Sequence, residues 1–221
     1  MPTRANLDFS RDHAQARDAI HAALDVDGLE AQLRQVGFDV LRAWSMARDR
    51  REYLCRPDLG RSLAPECIAE LRLEQRPGLL SIVVADGLAS MAAERNAVPL
   101  LSFLREGLEG WTLDSVVIAT QGRVALGDAI GELREAEAVL ILLGERPGLS
   151  SPDSLGAYLT YAPRVGRTDA ERNCISNIRT AGLSPEIGAA RILHLLKGAR
   201  ELKKTGVALK DTFEAGSLTA S

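Results

Sequence analysis

LLSIVVADG (residues 79–87) and AVLILLGERPG (138–148) each run from an uninterrupted apolar segment into a polar turn that contains glycine. A third apolar segment spans residues 113–119, and the stretches between the three segments, 88–108 and 126–136, have helical periodicity. The order strand, helix, strand, helix, strand is typical of right-handed βαβ units. Apolar runs without polar alternation indicate parallel strands covered by helices on both faces. The sequence therefore predicts an α/β fold with a Rossmann-like, three-layer parallel sheet.

Further elements flank this unit. A fourth strand is predicted at 155–161, and Ser184-Pro185-Glu186 is typical of the start of a helix, which we expect to reach about Lys204. Near the N-terminus, Ser10 is a plausible cap of a first helix, and Gly37 is placed to end a second, shorter one. Residues 38–46 contain β-formers and are predicted to be an edge or connecting strand.

These patterns divide the chain into three predicted parts. Residues 1–45 form a small N-terminal helical appendage, residues 46–205 form the α/β domain, and residues 206–221 form a flexible tail. The segment ARDRREY (47–53) mixes charges of both signs, which favours a solvated loop or helix face.

Composition excludes several classes of protein. The chain has 221 residues, of which 46% are hydrophobic and 26% charged, as in an ordinary globular protein. A net charge of −3 provides no basic field for nucleic acid, and the longest apolar runs are too short to span a membrane. The beginning, MPTRANLDFSRDHAQ, has no apolar core of a signal peptide. We therefore expect no nucleic-acid partner, no membrane partner and a cytoplasmic location.

The cysteines and histidines are too few and too widely spaced in the sequence for a zinc site or for a catalytic site that uses a histidine. Cys55, Cys67 and Cys174 contain no C-x-x-C pair, which predicts reduced thiols without structural zinc. The histidines, at positions 13, 21 and 194, give a Ser-His-Asp or Cys-His arrangement little to build on. No G-x-G-x-x-G motif follows the first strand, and no P-loop is present.

Polar residues follow three of the predicted strands. Asp86, Arg123 and Glu145 each lie in a turn that follows an apolar strand and contains glycine. Parallel strands bring such turns to one edge of the sheet, where ligands of α/β proteins usually bind. We therefore expect the three residues to lie near each other and to mark a ligand site.

Two residues near this edge have alternative interpretations. Glu145 could be a general acid or base, an acceptor for N–H groups of a ligand, or the partner of Arg146 or Arg123 on the surface. With no second catalytic residue visible, the acceptor role is favoured over acid–base catalysis. Cys174 is expected to be a small buried residue rather than a nucleophile. These arguments name no ligand.

Five ordered segments resemble the small subunit of ethanolamine ammonia-lyase: RPDLGRSL (56–63), VVADGLAS (83–90), GRVALGDAIGE (122–132), GERPGLSSPDSLGAY (144–158) and ERNCISNI (171–178). The resemblance implies a heteromeric enzyme that deaminates ethanolamine to acetaldehyde and ammonia by radical chemistry. It further implies that a large subunit, a TIM barrel, binds ethanolamine, and that the small subunit completes the adenosylcobalamin site at their interface.

The same resemblance implies cobalamin contacts at Val124, Glu145 and Cys174. It implies no catalytic residue and no metal ligand in this chain. None of the three histidines stands in a D-x-H-x-x-G motif, so the cofactor is expected to keep its dimethylbenzimidazole on cobalt. Two alternative functions remain: a stand-alone corrinoid-binding or carrier module, and an α/β transferase with a nucleotide-like cofactor.

Family members usually carry an Arg-Gly-rich segment before the first matching helix. Some also have a longer N-terminal extension linked to packaging in a bacterial microcompartment. This sequence begins MPTRANLDF, without these features, so we expect a cytoplasmic enzyme, with packaging in a bacterial microcompartment as the alternative.

Overall fold

The computed structural model describes residues 19–72, 76–148 and 151–214. Seven strands occur in this part of the chain: β1 Val40–Trp44, β2 Leu79–Ala85, β3 Thr112–Leu113, β4 Val116–Thr120, β5 Ala138–Gly144, β6 Leu155–Tyr161 and β7 Asn173–Ile178. The helices are α1 Val26–Gln35, α2 Arg50–Cys55, α3 Ile68–Leu71, α4 Ser90–Glu106, α5 Val124–Leu133 and α6 Pro185–Leu202. Short 3-10 turns lie at Leu59–Arg61, Pro65–Cys67, Asp169–Glu171 and Gly206–Ala208.

The strands form one mixed sheet in the order β1-β4-β2-β5-β6-β7, with β3 paired to β2. Neighbours from β1 through β5 are parallel, whereas β5–β6 and β6–β7 are antiparallel. The α/β class is confirmed, but the predicted all-parallel, Rossmann-like sheet is wrong at β6 and β7. The connection between β5 and β6 comprises only residues 145–154, which is too short for the crossover that a parallel strand needs.

Most of the predicted elements are confirmed. β2 and β6 have their predicted bounds, and β1 is an edge strand. Helix α6 begins as expected, because the Ser184 hydroxyl accepts a hydrogen bond from the Ile187 N–H at 3.3 Å. Strand β7 was not predicted, since its alternation of polar and apolar residues is short.

Two apolar clusters cover the sheet. The first packs Leu80, Ile82 and Val84 of β2 against α1, α4 and α6, and the second packs Val83 and Ala85 against α5 and α3. Burial on both sides explains why β2 is apolar throughout. Strands β6 and β7 contribute to the first cluster, but of their described residues only Tyr158 packs against the second. On their other face, the described residues of β6 and β7 therefore contribute little to the second apolar cluster.

The N-terminal region joins the sheet. The helix predicted from Ser10 lies mostly outside the described residues, of which 19–21 are helical. The second predicted helix is α1, and Gly37 ends it with a φ of +83°, as expected. β1 lies within the predicted segment 1–45 and pairs with β4. The division at 45 and 205 stays a prediction. None of the described helices has the length and apolar composition of a membrane-spanning segment.

Candidate functional site

The turns after β2, β4 and β5 meet at one edge of the sheet, as predicted. The buried carboxylate of Asp86 accepts hydrogen bonds from the N–H groups of Gln121 (3.0 Å) and Gly122 (3.1 Å). The N–H of Leu88 donates to the carbonyl of Gly144 at 2.8 Å. These bonds join the three turns, so the sheet edge is a connected polar structure.

Sequence reasoning missed two residues of this edge, Arg50 and Tyr53. The expectation of a solvated loop or helix face is wrong for both. The Arg50 guanidinium lies 3.2 Å from Asp86 and donates to the carbonyl of Gly87 at 2.7 Å. Tyr53 is fully buried, and its hydroxyl donates to the carbonyl of Gly122 at 3.0 Å. Asp49 caps α2 through the N–H of Glu52, a spacing in the sequence that could have revealed this helix.

The Tyr53 ring lies between two arginine side chains. The guanidinium carbons of Arg50 and Arg123 lie 4.8 Å and 4.4 Å from the centre of the ring, within range of a cation–π interaction. Burial raises the pKa of Tyr53 to about 12, so the phenol remains a neutral hydrogen-bond donor. Burial also raises the pKa of Asp86, against the opposing effects of the Gln121 N–H and of Arg50.

A crevice of about 930 Å³ lies at this edge of the sheet. One side consists of the beginning of α5, with Val124 and Ala125, and the floor includes Tyr158. Glu145 lies at the end of β5, and the segment 165–169 with Arg172 forms the opposite wall. The crevice also reaches Arg123, so Arg123 and Glu145 share one site, and Asp86 supports the turn beneath it.

The Glu145 carboxylate is an acceptor. It receives hydrogen bonds from the hydroxyls of Ser154 (2.5 Å) and Ser176 (2.6 Å) and from the N–H of Asn177 (3.2 Å). No ion pair between Glu145 and an arginine is found in the described part of the chain. The interpretation as the partner of Arg146 or Arg123 is therefore not supported. Because a carboxylate has about four acceptor positions, Glu145 can accept from one further donor.

Cys174 lies beside the floor of the crevice rather than in its lining. It is opposite Tyr158 in the antiparallel β6–β7 pair, and the two side chains are hydrogen-bonded. The expectation that Cys174 is buried is wrong, because the residue is exposed on β7. Crowding by neighbouring protein atoms still raises the pKa of the thiol, and the bond to Tyr158 offsets this only in part. A protonated thiol is a poor nucleophile.

A buried ion pair holds the opposite wall. Arg172 pairs with Asp128 of α5, and it also donates to the Asp169 carboxylate at 2.8 Å and to the carbonyl of Arg167 at 2.7 Å. Burial raises the pKa of Asp128, and Arg172 opposes this rise. The segment that faces Val124 and Glu145 is thus attached to the helix that carries Val124.

No group of three metal-ligating side chains occurs among the residues that the structure describes. His194 is exposed and lies 3.2 Å from the hydroxyl of Thr212, His21 is exposed, and His13 is outside the described residues. The three cysteines are free, as predicted.

A mixed α/β sheet with a polar crevice at the ends of its central strands defines the class, a ligand-binding α/β protein. Comparison with known proteins is more specific. The family model described as Ethanolamine ammonia-lyase light chain (EutC) matches residues 1–210. The chain belongs to this family, whose enzyme is a lyase, and the resemblance noted in the sequence is confirmed.

Relatives with assigned names agree over nearly the whole chain. The ethanolamine ammonia-lyase small subunit of Azotobacter vinelandii is 53% identical over 99% of this chain and 83% of the relative's length. The small subunit of Pseudomonas syringae pv. tomato is 52% identical over 99% of this chain and 78% of its own length. The name small subunit implies a large partner subunit.

Proposed function

We propose that this chain is the small subunit of an adenosylcobalamin-dependent ethanolamine ammonia-lyase and that it completes the cofactor site. The complex deaminates ethanolamine to acetaldehyde and ammonia. The observation that carries the proposal is the crevice itself: Val124 and Glu145, the residues that the family resemblance assigns to the cofactor, line one concave surface. The crevice is open on one side, as expected where a ligand and a second protein bind.

The residues of the crevice fit a corrinoid. Cobalamin is broad and carries amide side chains, so it needs hydrogen-bond acceptors, donors and apolar contacts together. Glu145 can accept one further amide N–H. Arg123 has a buried Nε without a partner among the described residues, and this atom is a donor. The partly exposed side chain of Val124 provides an apolar contact.

The beginning of α5 provides further donors. No side chain caps this helix, so the first-turn N–H groups of Val124 and Ala125 remain available to carbonyl oxygens of the cofactor amides. Their partial positive charge favours oxygen acceptors over donors. Glu145 thus accepts from the N–H group of a cofactor amide, and the first N–H groups of α5 donate to the carbonyl oxygen of a cofactor amide.

The chemistry that bound adenosylcobalamin supplies is radical initiation by homolysis of its cobalt–carbon bond. The residues of this chain bind and orient the cofactor, and they exclude water from its face. We assign no catalytic residue to the chain. Ethanolamine binds mainly to the large subunit.

The role of Cys174 follows from its position beside Tyr158. We propose that Cys174 packs against the edge of the cofactor, where an uncharged, small side chain permits close approach. Because the residue lies outside the lining of the crevice, this contact requires the cofactor to extend along β7.

The partner is a large subunit with a TIM-barrel fold, and the two subunits form a hetero-oligomer in the cytoplasm. The proposal needs no packaging in a microcompartment. A half-site on the small subunit explains why its crevice is open, because the large subunit covers the cofactor from the other side.

The test is reconstitution. The chain, a cognate large subunit, adenosylcobalamin and ethanolamine are mixed, and acetaldehyde release is measured with each component omitted in turn. We expect release only from the complete mixture. Absence of acetaldehyde at every subunit ratio would contradict the proposal. A chain that binds cobalamin tightly by itself, with the visible absorption of the corrinoid, would support the carrier function instead.

A further inference from the structure

A second concavity lies beside the crevice at the ends of β1 and β4. This side pocket has a volume of about 480 Å³ and is lined by residues of β1, β4 and the segments that follow β1 and precede α3: Trp44, Ser45, Met46, Ala47, Arg48, Ala64, Pro65, Glu66, Thr120 and Gln121. The family resemblance assigns no role to any of them.

Two large apolar side chains of the side pocket are exposed. Trp44 is 42% exposed and Met46 is 48% exposed, and both lie at the rim of a concave surface. A tryptophan in such a position is a frequent anchor of protein–protein interfaces. A protein that covered this surface would remove both side chains from water, which is favourable.

The side pocket also has acceptors without donors. The Oε1 atom of Gln121 is buried and has no hydrogen-bond partner among the described residues. Glu66 is exposed and forms no ion pair in the described part of the chain, whereas Arg48 is paired with Glu52 at 2.8 Å. The positive charge at the rim is therefore compensated, and the negative charge of Glu66 is not.

The backbone of Gln121 is fixed by a hydrogen bond to Asp86. Its φ of +57° is in the left-handed region, which is unusual for a residue other than glycine, and its N–H donates to Asp86 at 3.0 Å. The turn that places Gln121 in the side pocket places Arg123 in the crevice. A protein that covers the crevice consequently reaches the side pocket as well.

We propose that the side pocket is a docking site for the large subunit and that it receives an arginine or lysine side chain of that subunit. The aliphatic part of this side chain packs on Met46, its charge lies over the Trp44 ring, and its N–H groups donate to Gln121 Oε1 and to Glu66. The inference rests on the proposed function, because that function supplies the partner.

The first test measures binding of the full chain to the cognate large subunit by calorimetry or sedimentation. We expect Trp44→Ala to weaken binding by a factor of ten or more. Phe103→Ala is the matched control, because Phe103 is 44% exposed on α4 and lines neither concavity, and we expect a change of less than about twofold. An unchanged urea midpoint verifies that both variants remain folded.

The second test uses charge. Glu66→Lys should weaken binding more than Glu66→Gln does, and the difference should shrink as salt is added, because added ions screen an exposed charge. Glu70→Lys makes the same change at an exposed position outside the side pocket and should have a much smaller effect.

The outcomes separate the inference from the proposed function. If wild type binds the large subunit and Trp44→Ala binds equally well, the inference is overturned and the proposed function stands. If wild type does not bind at all, both are overturned. If the chain alone forms a dimer that Trp44→Ala dissociates, a second copy occupies the side pocket, and the inference is overturned.

Discussion

The guanidinium of Arg50 lies 3.2 Å from the carboxylate of Asp86, and the two side chains are only 13% and 3% exposed. The same carboxylate accepts the N–H groups of Gln121 and Gly122. One buried anion thus joins α2 and the turns after β2 and β4. The position of Val124 in the crevice depends on this junction, because Val124 follows directly on the turn.

Asp86→Asn should destabilise the protein by about 3 kcal/mol, because breaking a buried pair leaves Arg50 uncompensated. The asparagine side chain also has only one oxygen to accept the N–H groups of Gln121 and Gly122. Urea denaturation measures the change in the free energy of unfolding. Asp58→Asn is the control, since the pair of Asp58 with Arg56 is 59% exposed on both sides and its loss should change stability far less. Equal losses in the two variants would contradict the structural role of Asp86.

Tyr53→Phe should lower the free energy of unfolding by about 1 to 2 kcal/mol, because the buried carbonyl of Gly122 loses its hydrogen-bond donor. The difference from wild type should depend on pH. Burial raises the pKa of Tyr53 from 10.0 to about 12, so the unfolded state ionises first, and wild type loses stability between these values as pH rises. We therefore expect the difference between the two free energies of unfolding to be constant below pH 10 and to shrink as the pH rises above 10. A difference that does not change in this range would contradict the assignment.

Glu145→Gln should raise the apparent cofactor constant of the assembled enzyme about tenfold, which corresponds to about 1.4 kcal/mol. The amide replaces one carboxylate oxygen by a donor, and this donor meets the hydroxyl donors Ser154 and Ser176. The fold should remain intact, as near- and far-ultraviolet circular dichroism can verify. Glu106→Gln, at an exposed position at the end of α4, should leave the cofactor constant unchanged. An unaltered constant in Glu145→Gln would remove this residue from the site.

Gly87→Ala should destabilise the protein more than Gly166→Ala does, although both glycines have positive φ angles, of 55° and 97°. A Cβ at Gly87 would lie 2.2 Å from the carbonyl oxygen of Gly144, whereas a Cβ at Gly166 meets nothing within 4 Å. Backbone strain alone costs about 1 to 2 kcal/mol, and the clash adds to it only at Gly87. Thermal unfolding distinguishes the two, and similar melting temperatures would contradict the close approach of the two turns.

The candidate site was predictable in part. Asp86 and Glu145 were assigned to one edge because each follows an apolar strand, and strands of this kind are usually parallel. Arg50 was missed because its partner, Asp86, is distant in sequence and the surrounding charges are typical of a solvent-exposed segment. Glu145 was favoured as an acceptor, but its donors could not be foreseen, since Ser176 and Asn177 lie on a strand that sequence patterns did not predict.

The sequence by itself determined the continuous apolar strands β2 and β5, the serine-capped start of α6 and the family, because these depend on local patterns and ordered motifs. Only the tertiary structure decided the direction of β6 and β7, since pairing between strands depends on connections and packing that local periodicity does not record. Tertiary packing likewise decided that Tyr53 is buried and Cys174 exposed. The environment of a side chain is set by residues far away in the chain, and its own neighbours in sequence contain little information about them.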